Sequence, residues 1–355
     1  MTMTARISKN YDTFVGIDVD MKKFAFSVID KEIMNRTRSM PSSPKMLYNY
    51  IHKRFPNRKV LFAYEAGPTG YHLYDYLASK ECDCLVVSPN TIPKAGNENV
   101  KNNNIDSRKI TENLSAGQLK SIRVPMGEYR ELRNLVKMRE NYADARKVAK
   151  QRIKSLLLHA NLYPSLADNE TNWSNRFIHN LRNIVCSPAV RARLDMLLMD
   201  LDYARTQLLR SHRQLREFVL MNPGIQRNFE YAISVPGIGF VTAVTFFAKS
   251  GDPVNLVNPR EIAGFVGLAP TEHSTGDTEN RGPISHLGDH GLRSLFIEAA
   301  WVAIRHDIVL RQFYHRIVRR NHPRGAAQKA IVAVARKLTE RLYRVLKDQR
   351  KYVAH

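Results

Sequence analysis

Residues 14–19 read FVGIDV, and residues 24–30 read FAFSVID. The first is a short apolar run of the kind that forms a buried strand. The second alternates apolar and polar residues, which predicts a strand paired to the first. Two further apolar runs follow, VLFAYE at 60–65 and CLVVS at 84–88. Between them, Thr69–Lys80 sets Tyr71, Leu73, Tyr74 and Leu77 at helical spacing. An early hairpin and then a strand–helix–strand unit predict a mixed α/β domain over residues 1–125.

Outward from that domain the pattern changes. Residues 94–107, KAGNENVKNNNIDS, are rich in Asn and read as a loop or a helix start, with a helix from about Asp106 to Gly117. Pro125 and Gly127 mark a boundary. Residues 128–162 hold no Pro or Gly. Leu135, Tyr142, Ala149 and Leu156 recur every seven residues, beside a half-polar seam of Leu132, Arg139, Arg146 and Ile153. That predicts a long helix, either a coiled coil or an amphipathic helix packed within its own chain. Residues 190–220 predict a second long basic helix returning antiparallel. A connector over 126–225 and a last domain over 226–355 complete the division. In the last domain, helices are expected at 259–268, 292–305 and 325–347, with a polar loop at 271–291. The fold class is therefore α/β plus all-α.

Lys and Arg number 55 against 33 Asp and Glu, a net charge of +22 with pI near 10.0. Such a surplus attracts a polyanion, and nucleic acid is the usual one. No stretch approaches the ~20 apolar residues of a membrane span, and the first residues lack an apolar signal core. Cys82, Cys84 and Cys186 form no disulfide framework or zinc pattern and read as free thiols. The expectation is a cytoplasmic protein with no membrane partner.

Asp18 ends the first predicted strand, Glu65 ends another, and Asp106 sits where a loop becomes a helix. Carboxylates gathered at strand ends suit Mg²⁺, which takes hard oxygen ligands and leaves positions for water and phosphate. In the last domain, Ser274 lies within the glycine-bearing segment 264–293. Its hydroxyl needs a base or a metal to become a nucleophile; on their residues alone, Ser274 and Thr275 read rather as a turn or helix cap.

The strings VGIDV (15–19), YEAGPTGYHLYDYL (64–77) and VKNNNIDSRK (100–109) resemble the N-terminal motifs of the DEDD-type insertion-sequence transposases. VPGIGFVTA (235–243), GFVGLAP (264–270), STG (274–276), RGPIS (281–285) and LGDHGLR (287–293) resemble their C-terminal domain, in order. That family includes site-specific DNA inversion proteins and bridge-RNA-guided recombinases. The resemblance implies an RNase H-like first domain and Mg²⁺ (or Mn²⁺) at Asp18, Glu65 and Asp106. It also implies a covalent phosphoserine link through Ser274, Thr275 being the second candidate. Bridge RNA, DNA ends and target, and a homodimer or homotetramer are the implied partners, at the bacterial nucleoid. The chain departs from the family at one place. The third motif usually has two aspartates three residues apart, and here the pair is Asn103 and Asp106. Asn103 can offer an oxygen to metal but no charge, so affinity and activity are expected to fall. The departure is natural variation, an inactivating change, or the mark of a ligand moved to Asp12, Asp20 or Glu98.

Pro236-Gly237-Ile238-Gly239 reads as a phosphate-binding hairpin, in which Gly237 and Gly239 expose backbone amides, or as a tight packing turn. Arg293, Arg316, Arg319, Arg320, Arg324, Lys329, Arg336 and Lys337 read as a basic surface for nucleic acid. Arg139, Arg146, Lys147, Lys150, Arg152 and Lys154 read likewise on the central helix. Two rival functions remain at this stage. One is a metal-dependent junction nuclease using water; the other is a catalytically dead nucleic-acid-binding protein.

Overall fold

The computed structural model describes residues 10–89, 103–162, 173–256, 258–272, 281–284, 288–320 and 324–353. The chain forms two compact units, Met1–Val124 and Pro125–His355. The first is mixed α/β around a sheet, and the second is mostly helical.

In the first unit, β1 (Thr13–Val19) and β2 (Lys23–Asp30) are antiparallel neighbours. Short strands β3 (Ile33–Met34) and β4 (Arg38–Pro41) pair with the far edge of β2. On the other side, β5 (Val60–Glu65) runs parallel to β1, and β6 (Asp83–Val87) runs parallel to β5. Side chains alternate across a strand, so each strand serves two layers. Val15, Ile17, Phe24, Phe26, Phe62 and Tyr64 pack with Leu47 and Ile51 of α1 (Pro44–Arg54) and with Leu73 and Leu77 of α2 (His72–Ala78). Leu61 and Ala63 point the other way and pack with Ile110 and Leu114 of α3 (Asn103–Ser115). Helix α1 was not expected from the sequence. It buries only Leu47 and Ile51, so its period is faint, and its start is set by the Ser43 cap on Met46 and by Pro44.

In the second unit, α4 (Glu128–His159) and α6 (Pro188–Met221) pair antiparallel. Leu132 and Val136 near the start of α4 share a cluster with Leu215 and Val219 near the end of α6. Ile153, Leu156 and Leu157 meet Leu194, Leu198 and Leu201, together with Phe177 and Leu181 of α5 (Asn175–Asn183). Of the expected seven-residue seam, Ala149 and Leu156 are buried but Leu135 and Tyr142 are not; Leu132 and Ile153 of the half-polar seam, with Val136 and Leu157, complete the buried face. Between the apolar ends the seam is basic: Arg139 Nε donates to His212 Nε2 at 3.4 Å. Burial and the charges of Arg139, Arg216 and Arg146 lower the proton affinity of His212.

The rest of the unit is α7 (Pro223–Ile233), α8 (Phe240–Ser250), α9 (Pro259–Val266), α10 (His290–His306), α11 (Ile308–Arg320) and α12 (Ala326–Lys347). Their core is continuous with the paired ends of α4 and α6. Within the segment expected to be a loop, β7 (Pro270–Glu272) and β8 (Arg281–Ile284) form an antiparallel ladder. Among the described residues no helix is long and apolar enough to cross a membrane.

Candidate active site

Asp18 and Glu65 stand one residue beyond the register pair Ile17–Tyr64 of the parallel strands β1 and β5. Alternation puts both on the face that holds α3, the opposite face from Ile17 and Tyr64. Asp106 lies in the first turn of α3. Three elements therefore bring three carboxylates to one end of one sheet face.

The approach of α3 depends on Gly16. A Cβ built there would lie 2.4 Å from both the backbone N and the Oγ1 of Thr111, and 2.7 Å from the Ser107 carbonyl oxygen. No side chain fits between β1 and the helix. Polar groups then pin the helix where the sheet would otherwise demand apolar packing. Gly16 N donates to Thr111 Oγ1 at 3.1 Å, and Thr111 Oγ1 lies 2.8 Å from Ser107 O and 3.2 Å from Ser27 O. Ser27 Oγ and Ser107 Oγ are 3.2 Å apart. Ser27, Ser107 and Thr111 are fully buried, so each of these bonds is made in a low-dielectric setting. None of these positioning residues was singled out from the sequence. The available signal was the small residue before the carboxylate in VGID, and Ser and Thr at four-residue spacing in DSRKIT.

The electrostatics record how close the carboxylates are. Burial pushes the Asp18 carboxyl up to about 6, and the charges of Asp106, Glu65 and Asp20 push the same way, against only Lys23. Like charges raise one another's proton affinity in this manner when a fold holds them together. Among the described residues, no three His, Cys, Asp or Glu are close enough to cage an ion by themselves. Asn103 opens α3 one turn before Asp106. Of the three substitute ligands considered, Asp20 joins this cluster electrostatically. Asp12 does not: its carboxylate accepts from Lys59 N at 3.1 Å, just before the start of β1 and so away from Asp18. Glu98 lies outside the described residues, as do Ser274 and Thr275.

The proposed nucleic-acid contacts sort into different roles. Gly237 has φ of 91°, and a Cβ there would meet Ala299 O at 2.3 Å. It is a packing turn against α10. Gly239 is different: it is exposed at the N-terminus of α8, with open space around it. Arg293 Nε donates to Gly267 O at 2.9 Å and ties α10 to the end of α9. Arg319, Arg320, Arg324 and Lys329 are exposed. Arg336 is partly buried, and Lys337 Nζ lies 2.8 Å from Glu340 Oε2.

Comparison with known proteins follows the same order along the chain. Residues 15–162 match a family model described as a transposase, of the DEDD type of IS110. Residues 230–315 match the model described as the transposase IS116/IS110/IS902 family. The y4qE protein of Sinorhizobium fredii, whose name describes it as a transposase, is 28% identical over 301 residues, 82% of this chain and 71% of that protein. The transposase for insertion sequence element IS1111A of Coxiella burnetii is 26% identical over 249 residues, 68% of this chain and 65% of its own length. The pilin gene-inverting protein of Moraxella bovis is 27% identical over 142 residues, 39% of this chain and 43% of that protein. With the carboxylate-bearing unit matched by one transposase model and the C-terminal helices by the other, the chain belongs to the IS110/IS116 family of transposases.

Proposed function

We propose that the protein cuts and rejoins DNA, with the carboxylate end of its N-terminal sheet and Ser274 as the two halves of one chemistry. The observation that carries this reading is the convergence of Asp18, Glu65 and Asp106 against their mutual repulsion. A fold gathers like charges at a cost unless a cation or a phosphate-bound metal relieves it. The sheet order, a hairpin followed by two strands parallel to β1, suits an RNase H-like domain.

The donor set fits a hard divalent cation. Mg²⁺ is usually held by one or two carboxylates plus substrate phosphate rather than by a closed protein cage, and among the described residues no three such side chains form a cage. Asp18, Glu65, Asp106 and the amide oxygen of Asn103 would hold Mg²⁺ or Mn²⁺, which when bound neutralises charge on a scissile phosphodiester. The serine hydroxyl of Ser274 attacks phosphorus: a Ser–O–P bond forms, one P–O bond of the strand breaks, and the departing DNA oxygen takes up a proton. Attack by the hydroxyl of another strand reverses these changes and frees the serine. The division into a carboxylate domain (1–125), connector (126–225) and serine domain (226–355) follows these roles. Guidance by a bridge RNA, with the protein reading helix shape and phosphate, fits a +22 chain of this family, acting at the bacterial nucleoid as a dimer or tetramer.

The test is a denaturing-gel assay for covalent protein–DNA adducts. It uses the element's end DNA, the flanking transcript and Mg²⁺. An adduct formed by the Asn103→Asp variant and lost when Ser274→Ala is added is the expected result. Cleavage without an adduct would favour a nuclease that uses water, and binding without cleavage a binding protein.

A further inference from the structure

Helix α12 carries Arg336, Glu340 and Arg344 at four-residue intervals, which places them on one face. That face lines a cavity of about 570 Å³, bounded on its other side by Asn258, Pro259 and Arg260 at the start of α9. Asn258 is occupied as a cap, its Oδ1 accepting from Glu261 N at 2.9 Å. The cavity therefore gathers three guanidinium groups around a single carboxylate. That carboxylate is already matched by Lys337, whose Nζ lies 2.8 Å from Glu340 Oε2.

Among the described residues, Arg260, Arg336 and Arg344 take part in no ion pair, whereas the neighbouring Arg341 is bound to Asp307. The helix thus divides its arginines. Arg341, turned toward the core, is satisfied within the chain, and on the cleft side Arg336 is partly buried and Arg344 exposed. Guanidiniums that no carboxylate holds keep their donors open to an anion.

We infer that the cleft between α9 and α12 binds consecutive phosphates of a nucleic-acid strand, with Arg260, Arg336 and Arg344 each holding phosphodiester oxygens. The inference rests on the reading that the protein acts on nucleic acid. Planar guanidinium forks match phosphate oxygens in pairs. Arg336 and Arg344 are about 12 Å apart along the helix axis at 1.5 Å per residue. A strand carries one phosphate per ~3.4 Å of its axis, so several phosphates span that distance, whereas a lone phosphate engages one end well. Arg344 also borders a second cavity, of about 370 Å³, where Lys351 stands beside Asp348 and apolar side chains. Apart from Pro259 the lining of the first cavity is polar or charged, so it offers no apolar anchor for a peptide. Contacts of this kind read backbone and not base sequence.

The experiment is a salt titration of binding by the full chain, read by fluorescence anisotropy. The probes are a labelled duplex DNA and a labelled single-stranded RNA. Each phosphate contact contributes about 0.9 to the log–log salt slope on duplex and about 0.7 on a single strand. The triple variant Arg260→Ala, Arg336→Ala, Arg344→Ala is expected to flatten the slope by about 2 to 3 on the probe that the cleft holds. The matching triple Arg→Lys variant keeps the slope, and Glu340→Gln tightens binding several-fold at fixed salt. Flattening on one probe alone assigns the cleft to that strand. If the unmodified chain shows a steep slope and the triple variant keeps it, the cleft is not a phosphate site, though the wider reading stands. If a polyglutamate peptide displaces either probe from the unmodified chain as well as unlabelled nucleic acid does, the cleft recognises carboxylate and the inference falls. Binding to neither probe overturns both it and the proposed function; binding without any covalent adduct overturns the proposed function alone.

Discussion

Asp18 and Asp307 are carboxylates drawn out of water in different units of the same chain, and the fold treats them in opposite ways. Asp307 is 6% exposed between α10 and α11. Burial alone would raise its proton affinity. A hydrogen bond from Arg341, the Leu310 backbone N–H, the Arg341 charge and the Tyr352 hydroxyl together hold it below the usual carboxylate range. Leu310 N donates to Asp307 Oδ1 at 2.8 Å, so the same side chain also caps α11. Arg341 in turn sits over the Tyr352 ring, 4.9 Å from its centre. At Asp18, burial and three other carboxylates all act in one direction, against the charge of Lys23. A buried carboxylate that is matched on every side is part of the architecture. One pressed against its own kind is kept for something that arrives later.

Substitutions should separate the two kinds. The largest effect is expected on chemistry: Asp18→Ala or Asp106→Ala should lower cleavage or adduct formation in the Asn103→Asp background on the order of 100-fold, as losing a charge-stabilising group does. The melting temperature should not fall. A loss of folding in step with activity would place Asp18 with Asp307 instead. Next in size, Asp307→Ala leaves the Arg341 guanidinium, 16% exposed at its side chain, without its partner. Breaking a buried pair this way costs about 3–5 kcal/mol. Denaturant unfolding should show that loss. Because the folded carboxyl titrates below the unfolded one, the stability Asp307 contributes is present above about pH 4 and is lost as the pH falls further.

A smaller effect tests what holds the acidic cluster together. Gly16→Ala forces a methyl group against the Thr111 backbone. Relief requires α3 to move off the sheet, at about 1–3 kcal/mol for an overpacked core. Asp106 rides on that helix, so activity should fall more than stability alone predicts. Thr111→Val keeps the volume and removes the hydroxyl, leaving Gly16 N–H without its acceptor at about 1–3 kcal/mol. If Gly16→Ala is neutral in both assays, the close approach of α3 is not what places Asp106.

Local chemistry decided how much of this could be read from the sequence. Strands β1, β2, β5 and β6 were legible because their apolar runs are strong and bounded by turns. The long helices were legible because 34 residues from Pro188 to Met221 have no internal breaker. Asp18 and Glu65 were legible as strand-end carboxylates, but their convergence with Asp106 was implied only by the resemblance, because it depends on a helix docking across a glycine. The buried face of α4 was legible only in part: each seven-residue seam contributes two buried positions, and Arg139 and Arg146 interrupt the middle of one of them. Gly237 illustrates a different limit: only the third dimension shows that Ala299 O and Ala303 pack against its α-carbon. The cleft arginines Arg260 and Arg344 carry no local signal at all, since charges far apart in sequence meet only when α9 and α12 pack.

The subtlest prediction has the opposite sign from ordinary mutagenesis. Asp18→Asn keeps the shape of the side chain and removes a charge that its neighbours repel, so at pH 7 it should raise the stability of the first unit while it abolishes activity. The pH dependence fixes the cause. The folded carboxyl titrates near 6 and the unfolded one near 3.8, so the folded state binds more protons in between. Stability of the unmodified chain from this group is therefore greatest below about pH 4 and is lost as the pH rises through 6. The advantage of the Asn variant should grow over that interval and level off above it. Added Mg²⁺ should shrink the advantage by relieving the repulsion in the unmodified chain alone. Thermal unfolding at pH 5 and pH 7.5, with and without Mg²⁺, measures all of this. A variant less stable than its parent at pH 7.5 would mean that Asp18 is satisfied in the folded state, and the contrast with Asp307 would disappear.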